Sequence, residues 1–326
     1  MRAILVKGHG APDVLQLGEA PTPLPAKGEA RVRVRATAVN RADVMQRRGK
    51  YPAPADVHPD ILGLEFAGEV DQLGDGVVDV KVGDRVFGLA GGATYAEYVV
   101  VHSRTLAHIP DNLSFVEAAS IPEAFITAYD AAVVQGGLCA GKNMLVSAVG
   151  SGVGTAAIQI AKAIGAFSVG TARSESKLDA ARSLGMNHGV VAQQGKFADK
   201  VMAATNGVGV DVILELVGGS YVAEDIVCAS PKACIMLVGL VAGARVEADL
   251  GTILRKRLTI KGTTLRMRPL EEKIQAGQIL EHNLAPLFAA GILKPIIHKT
   301  FPLAEASAAH ALMEADENFG KIVLEV

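Results

Sequence analysis

From residue 29 to 36 the chain alternates strictly, with Ala30, Val32, Val34 and Ala36 on one side and Arg31, Arg33 and Arg35 on the other. Period two puts successive side chains on opposite faces, so this stretch predicts a half-exposed strand. Shorter apolar runs at residues 3–6, 64–73, 86–89 and 95–101 read as further strands. Gly74-Asp75-Gly76 and Gly83-Asp84 supply turns, and residues 21–25 form a proline-bounded connector. Short strands with glycine turns predict an antiparallel barrel over the first third of the chain. At Ser114 the pattern changes. Ser114-x-x-Glu117 is a capping box that opens a helix. Pro122 interrupts, and residues 123–135 read as helical.

Strands and helices then alternate. Residues 144–146, 167–170, 189–192, 210–217, 233–240 and 258–262 have strand character. Residues 177–184, 197–205, 221–228 and 271–290 have helical character. This alternation predicts a parallel sheet covered on both faces. Toward the C-terminus a helix at 303–314 stands between two β-like stretches. The strand at 321–326 is expected to return and complete the first domain.

The strand at 144–146 runs into Gly150-Ser151-Gly152-Val153-Gly154, one residue tighter than the G-x-G-x-x-G fingerprint. Ala148, Ser151 and Gly154 can be read as a second register. Ala157, Ile160, Ala161 and Ile164 then repeat at helical spacing, and Gly165 is placed to stop that helix. Strand, glycine turn, helix and strand make the βαβ unit that binds dinucleotides. Glycines admit a pyrophosphate, and the helix N-terminus offers unpaired N–H groups. The competing reading is a glycine turn that only lets a helix pack closely on a sheet.

The second strand ends at Arg173-Ser174, where an NAD site wants an acid for the ribose hydroxyl. Arg173, Ser174 and Lys177 suit a 2′-phosphate instead, and Glu175 is expected to point toward its own helix start. The sequence therefore favours NADPH.

Composition narrows the function classes. The chain has 326 residues, half of them apolar, and a formal charge of −2. No apolar run is long enough to span a membrane, and no secretory or organelle leader stands at the N-terminus, so a cytoplasmic location is expected. Arg47-Arg48 and Arg255-Lys256-Arg257 read as small solvated basic faces, not a nucleic-acid stripe. Three cysteines without a CxxC argue for a reduced compartment, with Cys228 and Cys234 as core thiols.

Several motifs together resemble the zinc-free medium-chain dehydrogenase/reductase superfamily, in its quinone oxidoreductase branch. They are residues 40–51 from Asn40 to Tyr51, Gly63-Leu64-Glu65-Phe66-Ala67-Gly68, Gly83-Asp84-Arg85-Val86, residues 121–128, residues 151–159 and Asn318-Phe319-Gly320-Lys321-Ile322-Val323. The resemblance implies a GroES-like antiparallel β-barrel domain (1–121 and 292–326) and a Rossmann domain with a doubly wound parallel sheet (122–291). It implies an active site in the cleft between them and a homodimer or homotetramer. Zinc-dependent relatives carry Cys and His where this chain has Asn40 and Leu64, neither of which is a zinc donor, and their four-cysteine lobe is missing. No metal is expected, and Glu65 is expected to stabilise the cleft.

The implied activity is hydride transfer from NADPH to a quinone. Two alternatives stand beside it: reduction of an activated C=C bond in a conjugated carbonyl, and a crystallin-like cofactor-binding protein with little turnover. Asn40, Tyr51 and Ser151 are the catalytic candidates. By the same resemblance, Gly150, Ser151, Gly152, Val153 and Gly154 hold the pyrophosphate, with Arg173, Ser174 and Lys177 at the 2′-phosphate. Val217, Gly218, Gly239, Leu240 and Val241 line the sheet edge. Asn40, Tyr51, Thr127, Leu265, Arg266 and Asn318 surround the nicotinamide end. Many relatives carry a Tyr near position 192, where this chain has Val191-Ala192, and Arg173 is the candidate to compensate.

Overall fold

In the computed structural model, which describes residues 1–54 and 57–326, the strands before the glycine turn are β1 (Arg2–Val6), β2 (Leu15–Glu19), β3 (Glu29–Val39), β4 (Glu65–Leu73), β5 (Arg85–Leu89), β6 (Tyr98–His102) and β7 (Leu106–His108). Next come β8 (Asn143–Val146), β9 (Phe167–Ala172), β10 (His188–Val191), β11 (Val210–Glu215), β12 (Ala229–Leu237) and β13 (Thr259–Gly262). β14 (Ile297–Pro302) and β15 (Lys321–Glu325) complete the set. They fall into two units, one of residues 1–126 with 265–326 and one of residues 127–264.

The first unit holds a sheet ordered β14-β15-β3-β4-β5-β7, with β6 also paired to β3. All its pairings are antiparallel except β14 with β15. The alternation read in the sequence explains why β3 is central. Ala30, Val32 and Val34 are buried, while Arg31 and Arg35 turn out to ion-pair with Asp71 and Glu69 on β4. Register shifts near Val32 and between Val34 and Ala36 mark bulges that bend this long strand. β15 pairs with the far half of β3, so the returning strand completes this sheet as expected.

Two expectations change here. Arg47 is not on a solvated face; it is 0% exposed. Its guanidinium donates to the Gly10 carbonyl, meets His310 Nδ1 at 3.4 Å and pairs with Glu314. Only Arg48 behaves as a surface residue, sharing the same carboxylate. The long helix, observed as Leu270–Gln278, a π turn Ile279–Leu284 and Ala285–Ala289, packs in the first unit. Gly277 lies so close to Thr105 that a Cβ would sit 2.6 Å from its carbonyl oxygen. Phe288 meets Phe125 edge-on at 4.8 Å, and Glu281 accepts from the His108 amide. The second boundary therefore falls at 264/265 rather than 291/292. Helical periodicity shows that a face is apolar but not which sheet it covers.

The second unit is a wholly parallel sheet ordered β10-β9-β8-β11-β12-β13. The winding reverses between β8 and β11, which opens a crevice at their carboxyl ends. The helix Gly152–Ile164 buries Ala157, Ile158, Ile160 and Ala161 and ends on Gly165 at φ 83°, a left-handed cap. A short helix, Leu250–Lys256, was not anticipated. It buries no residue, and Leu250 and Leu254 are 73% and 78% exposed.

Candidate functional site

The turn after β8 is built for close approach. Ala148 adopts φ 48° and Val149 returns to the Thr171 carbonyl, which folds the chain tightly before the helix. Ser151 caps that helix, its Oγ accepting the Gly154 N–H at 3.0 Å. A Cβ on Gly154 would lie 2.5 Å from the Val149 carbonyl oxygen, so only glycine lets helix and strand meet here. Gly150 is buried, whereas Ser151, Gly152 and Val153 are partly open at the helix N-terminus. A helix of thirteen residues ending in accessible N–H groups fits a pyrophosphate. Ser151 is thus first a helix cap, with its hydroxyl proton left to donate.

At the end of β9, Ser174 precedes the helix Glu175–Ser183, with Arg173 exposed and Lys177 half-buried on its first turn. Glu175 pairs with Arg182 on its own helix at 2.8 Å, so the nearest acid is turned away from the strand end. Tyr221 stands near Arg173, whose charge acts on its phenol. Its ring lies 5.1 Å from Phe197. This aromatic pair packs in the same buried cluster as Ala192, next to the Val191-Ala192 positions that drew attention in the sequence.

The carboxyl ends of β11 and β12 carry two interlocked loops. Gly218 and Gly219 have φ of 74° and 55°, and the Gly219 N–H donates to the Gly243 carbonyl. Gly239 presses on β11, where a Cβ would meet the Leu216 oxygen at 2.5 Å. Leu240 and Val241 stay exposed at this edge. The Glu215 carboxylate ties the first loop by accepting the Val217 and Gly218 N–H groups. Buried Asp225 faces it, and burial together with that neighbouring charge pushes the Asp225 carboxyl well up. Glu215 Oε2 and both Asp225 oxygens have no donor among the described residues, and one proton shared between the acids would join an oxygen of each. Sequence reasoning missed this pair. Thr127 is buried at the start of the same unit.

The first unit gathers a second constellation around Asn40. Asn40 leads the helix Arg41–Arg47, and Asp43 folds back to accept its backbone N–H at 2.8 Å. Its side chain turns elsewhere: Nδ2 donates to Glu65 Oε1 at 2.8 Å, and Oδ1 accepts from Lys321 Nζ at 2.5 Å. Lys321 also meets Glu65 Oε1 at 2.8 Å and the Val39 carbonyl at 3.1 Å, which uses its three protons. Glu65 is 0% exposed, and its other oxygen accepts the Glu123 N–H at 2.8 Å. Glu123, partly exposed beside that carboxylate, has its own carboxyl pushed up to about 8, first by burial and then by the Glu65 charge.

Behind Asn40 runs a buried chain. Arg47 is always a donor, so His310 Nδ1 accepts and Nε2 carries the proton. Nε2 then donates to the Tyr95 oxygen at 3.1 Å, and Tyr95 donates to Asp43 at 3.2 Å. Burial and the Arg47 charge push His310 down to about 3, so it is neutral. Burial pushes Asp43 up to about 6, against the pull of the Asn40 and Gly63 N–H groups and of the Lys321 and Arg266 charges.

Arg266 is 6% exposed, donates Nε–H to the Gly91 carbonyl at 2.7 Å, and lies 5.3 Å over the Tyr51 ring. Its two terminal nitrogens have no acceptor among the described residues. Asn318 is buried and donates to the Gly320 carbonyl, shaping the turn into β15, while Leu265 is half-buried beside Arg266. Of the sequence candidates, the structure thus joins Asn40 to Glu65 and Lys321, and Tyr51 to Arg266. Glu123, Lys321 and Asp43 were missed as site residues, although all three lie in the quoted motifs. Among the described residues, no three His, Cys, Asp or Glu side chains stand together as a metal site.

Two family models match the chain: an alcohol dehydrogenase GroES-like domain over residues 26–111 and a zinc-binding dehydrogenase over residues 152–280. The quinone oxidoreductase of Pseudomonas aeruginosa is 32% identical over 99% of this chain and 99% of its own. Two solved structures are similar over the full length of both chains. One is Escherichia coli quinone oxidoreductase complexed with NADPH, at 27% identity and a TM-score of 0.89. The other is an NAD-dependent alcohol dehydrogenase, at 34% identity and a TM-score of 0.87. The chain also matches part of a mycocerosic acid synthase-like polyketide synthase of Mycobacterium tuberculosis, spanning 14% of that protein.

Proposed function

Because the chain belongs to the medium-chain dehydrogenase/reductase superfamily, an assignment that its full-length similarity to quinone oxidoreductases supports, we propose that it reduces a quinone with NADPH by hydride transfer, without zinc. The observation that carries the cofactor choice is the end of β9. Arg173 and Ser174 follow it, Lys177 lies on the first turn of the next helix, and Glu175 pairs with Arg182. When bound, the reduced nicotinamide supplies the hydride. The residues of this chain bind and orient it. Ser151 and Gly154 set the helix N-terminus for the pyrophosphate, and the loops 217–219 and 239–241 border the crevice. In the first unit, Lys321 and Glu65 fix Asn40, and the free nitrogens of Arg266 are the donors for a ligand oxygen. A zinc ion is disfavoured by the donors: Glu65 already meets an ammonium at 2.8 Å, and its neighbours Asn40 and Leu64 do not ligate zinc.

A titration of NADPH and of NADH into the Arg173→Ala/Lys177→Ala variant tests the cofactor reading. The expected result is a loss on the order of a hundredfold for NADPH, worth two charged contacts, with NADH little changed. Equal losses overturn it. Following NADPH oxidation with a quinone and with an enone separates quinone from C=C reduction. Tight NADPH binding with neither acceptor consumed would mean a binding protein. The protein is also proposed to form a homodimer through β13. Among the described residues that edge strand pairs with β12 alone, and Leu250 and Leu254 on the helix before it in the chain are exposed.

A further inference from the structure

We propose that Glu123 is the proton donor of the reduction, a catalytic residue that completes what the hydride begins. This rests on the reductase reading above. Hydride adds a pair of electrons to the acceptor, so a proton must follow before product leaves. The groups around Asn40 can be sorted by whether they hold a proton they are able to give. The Lys321 protons are spent on Glu65, Asn40 and the Val39 carbonyl, and the residue is 4% exposed. The Asn40 amide is not an acid. Arg266 does not release a proton in proteins. Tyr95 is wholly buried and already donates to Asp43. Asp43 is wholly buried too, accepting from Asn40, Gly63 and Tyr95. Both Glu65 oxygens are taken up as acceptors, from Lys321, Asn40 and the Glu123 N–H.

Glu123 differs from all of these. It is partly exposed, and its carboxyl makes no hydrogen bond to any described residue. Its backbone is fixed to Glu65, so its position in the cluster is not a matter of side-chain chance. The charges that face it come from four elements: Glu65 on β4, Asp43 on the helix Arg41–Arg47, Lys321 on β15, and Arg266 after β13. The two acids outweigh the two bases once burial is added, and the proton is retained through neutral pH. A carboxylic acid kept neutral beside a fixed carboxylate is poised to act as a general acid.

The balance is simple. The Glu123 O–H bond breaks and a new O–H or C–H bond forms on the reduced acceptor. The Glu123 carboxylate then takes a proton from water. In sum, acceptor, NADPH and one proton give the reduced acceptor and NADP. An enone needs this proton more than a quinone does, because an enolate carbon is a far stronger base than a hydroquinone oxygen. The device therefore favours a conjugated carbonyl among the acceptors.

The test compares wild type, Glu123→Gln and Glu123→Asp. The infrared difference between wild type and Glu123→Gln should show a protonated-carboxyl band that disappears near pH 8, apart from the one the Glu215–Asp225 pair supplies to both. In the wild type kcat should hold below about pH 8 and fall above it, because the acid form is the active one. Glu123→Gln should lose about 10²- to 10⁴-fold in kcat, more with an enone than with a quinone, and lose that alkaline limb. NADPH affinity should be unchanged, and Glu123→Asp should recover part of the rate. A Glu123→Gln enzyme with normal kcat and the same limb, or a difference without the band at pH 6, overturns the assignment. A wild type that binds NADPH yet reduces neither acceptor overturns the reductase reading and the donor role with it.

Discussion

Replacing Lys321 with methionine keeps the stem and deletes the charge. In the wild type that ammonium sits 2.8 Å from Glu65, in a place where Glu65 is 0% and Lys321 4% exposed. Removing one partner of a buried pair costs about 3–5 kcal/mol, because the other charge is left without compensation. Glu65 keeps two neutral donors, Asn40 Nδ2 and the Glu123 N–H, each at 2.8 Å. They place the expected loss in the lower half of that range, about 3 kcal/mol. Glu65→Gln in the same background removes the stranded charge and should return at least about 1 kcal/mol, so the two substitutions are coupled. The chain lacks tryptophan, so unit-specific stability is best read by hydrogen exchange of the β3 and β15 amides with mass spectrometry. A Lys321→Met loss below about 1 kcal/mol, or strictly additive effects in the cycle, would refute the reading of Lys321 and Glu65 as a coupled buried ion pair.

Other consequences follow from the same geometry. Gly154→Ala should destabilise the second unit by about 1–3 kcal/mol and weaken nucleotide binding, since its Cβ would stand 2.5 Å from a backbone oxygen. Normal melting and normal NADPH affinity would contradict this. His310 titrates near 3 in the fold against an ordinary 6.5, so the unfolded chain takes up the proton first as pH falls. The stability it contributes is complete above 6.5 and is lost toward 3, by roughly 3–5 kcal/mol at the limit. His310→Gln should flatten that acid limb in urea titrations. Leu250→Glu with Leu254→Glu should shift the mass measured by light scattering toward one subunit, and an unchanged mass would count against the β13 interface.

Local chemistry was legible in the sequence wherever a short stretch dictates its own geometry. The glycine turn between β8 and its helix, the Ser114–Glu117 box and the alternating β3 each carry their reason within a few residues. Segments with little apolar contrast were not legible: β2 is mostly exposed, β7 is three residues long, and Leu250–Lys256 buries nothing. Nor were long-range polar contacts. Arg47 reads as a surface base until Gly10, His310 and Glu314 are seen around it. Lys321 and Glu65 lie far apart in sequence, and no spacing rule connects an ammonium to a carboxylate across a sheet.

The place of β15 between β3 and β14 has a consequence for biosynthesis. Residues 127–264 are contiguous, so the nucleotide-binding half is free to fold while the ribosome is still working. The other half must hold an open seam and a lone acid in its interior until Lys321 emerges. Chaperone dependence and nicking by proteases should therefore concentrate on that half during synthesis, and a stop codon just ahead of residue 321 should ruin it while sparing its neighbour.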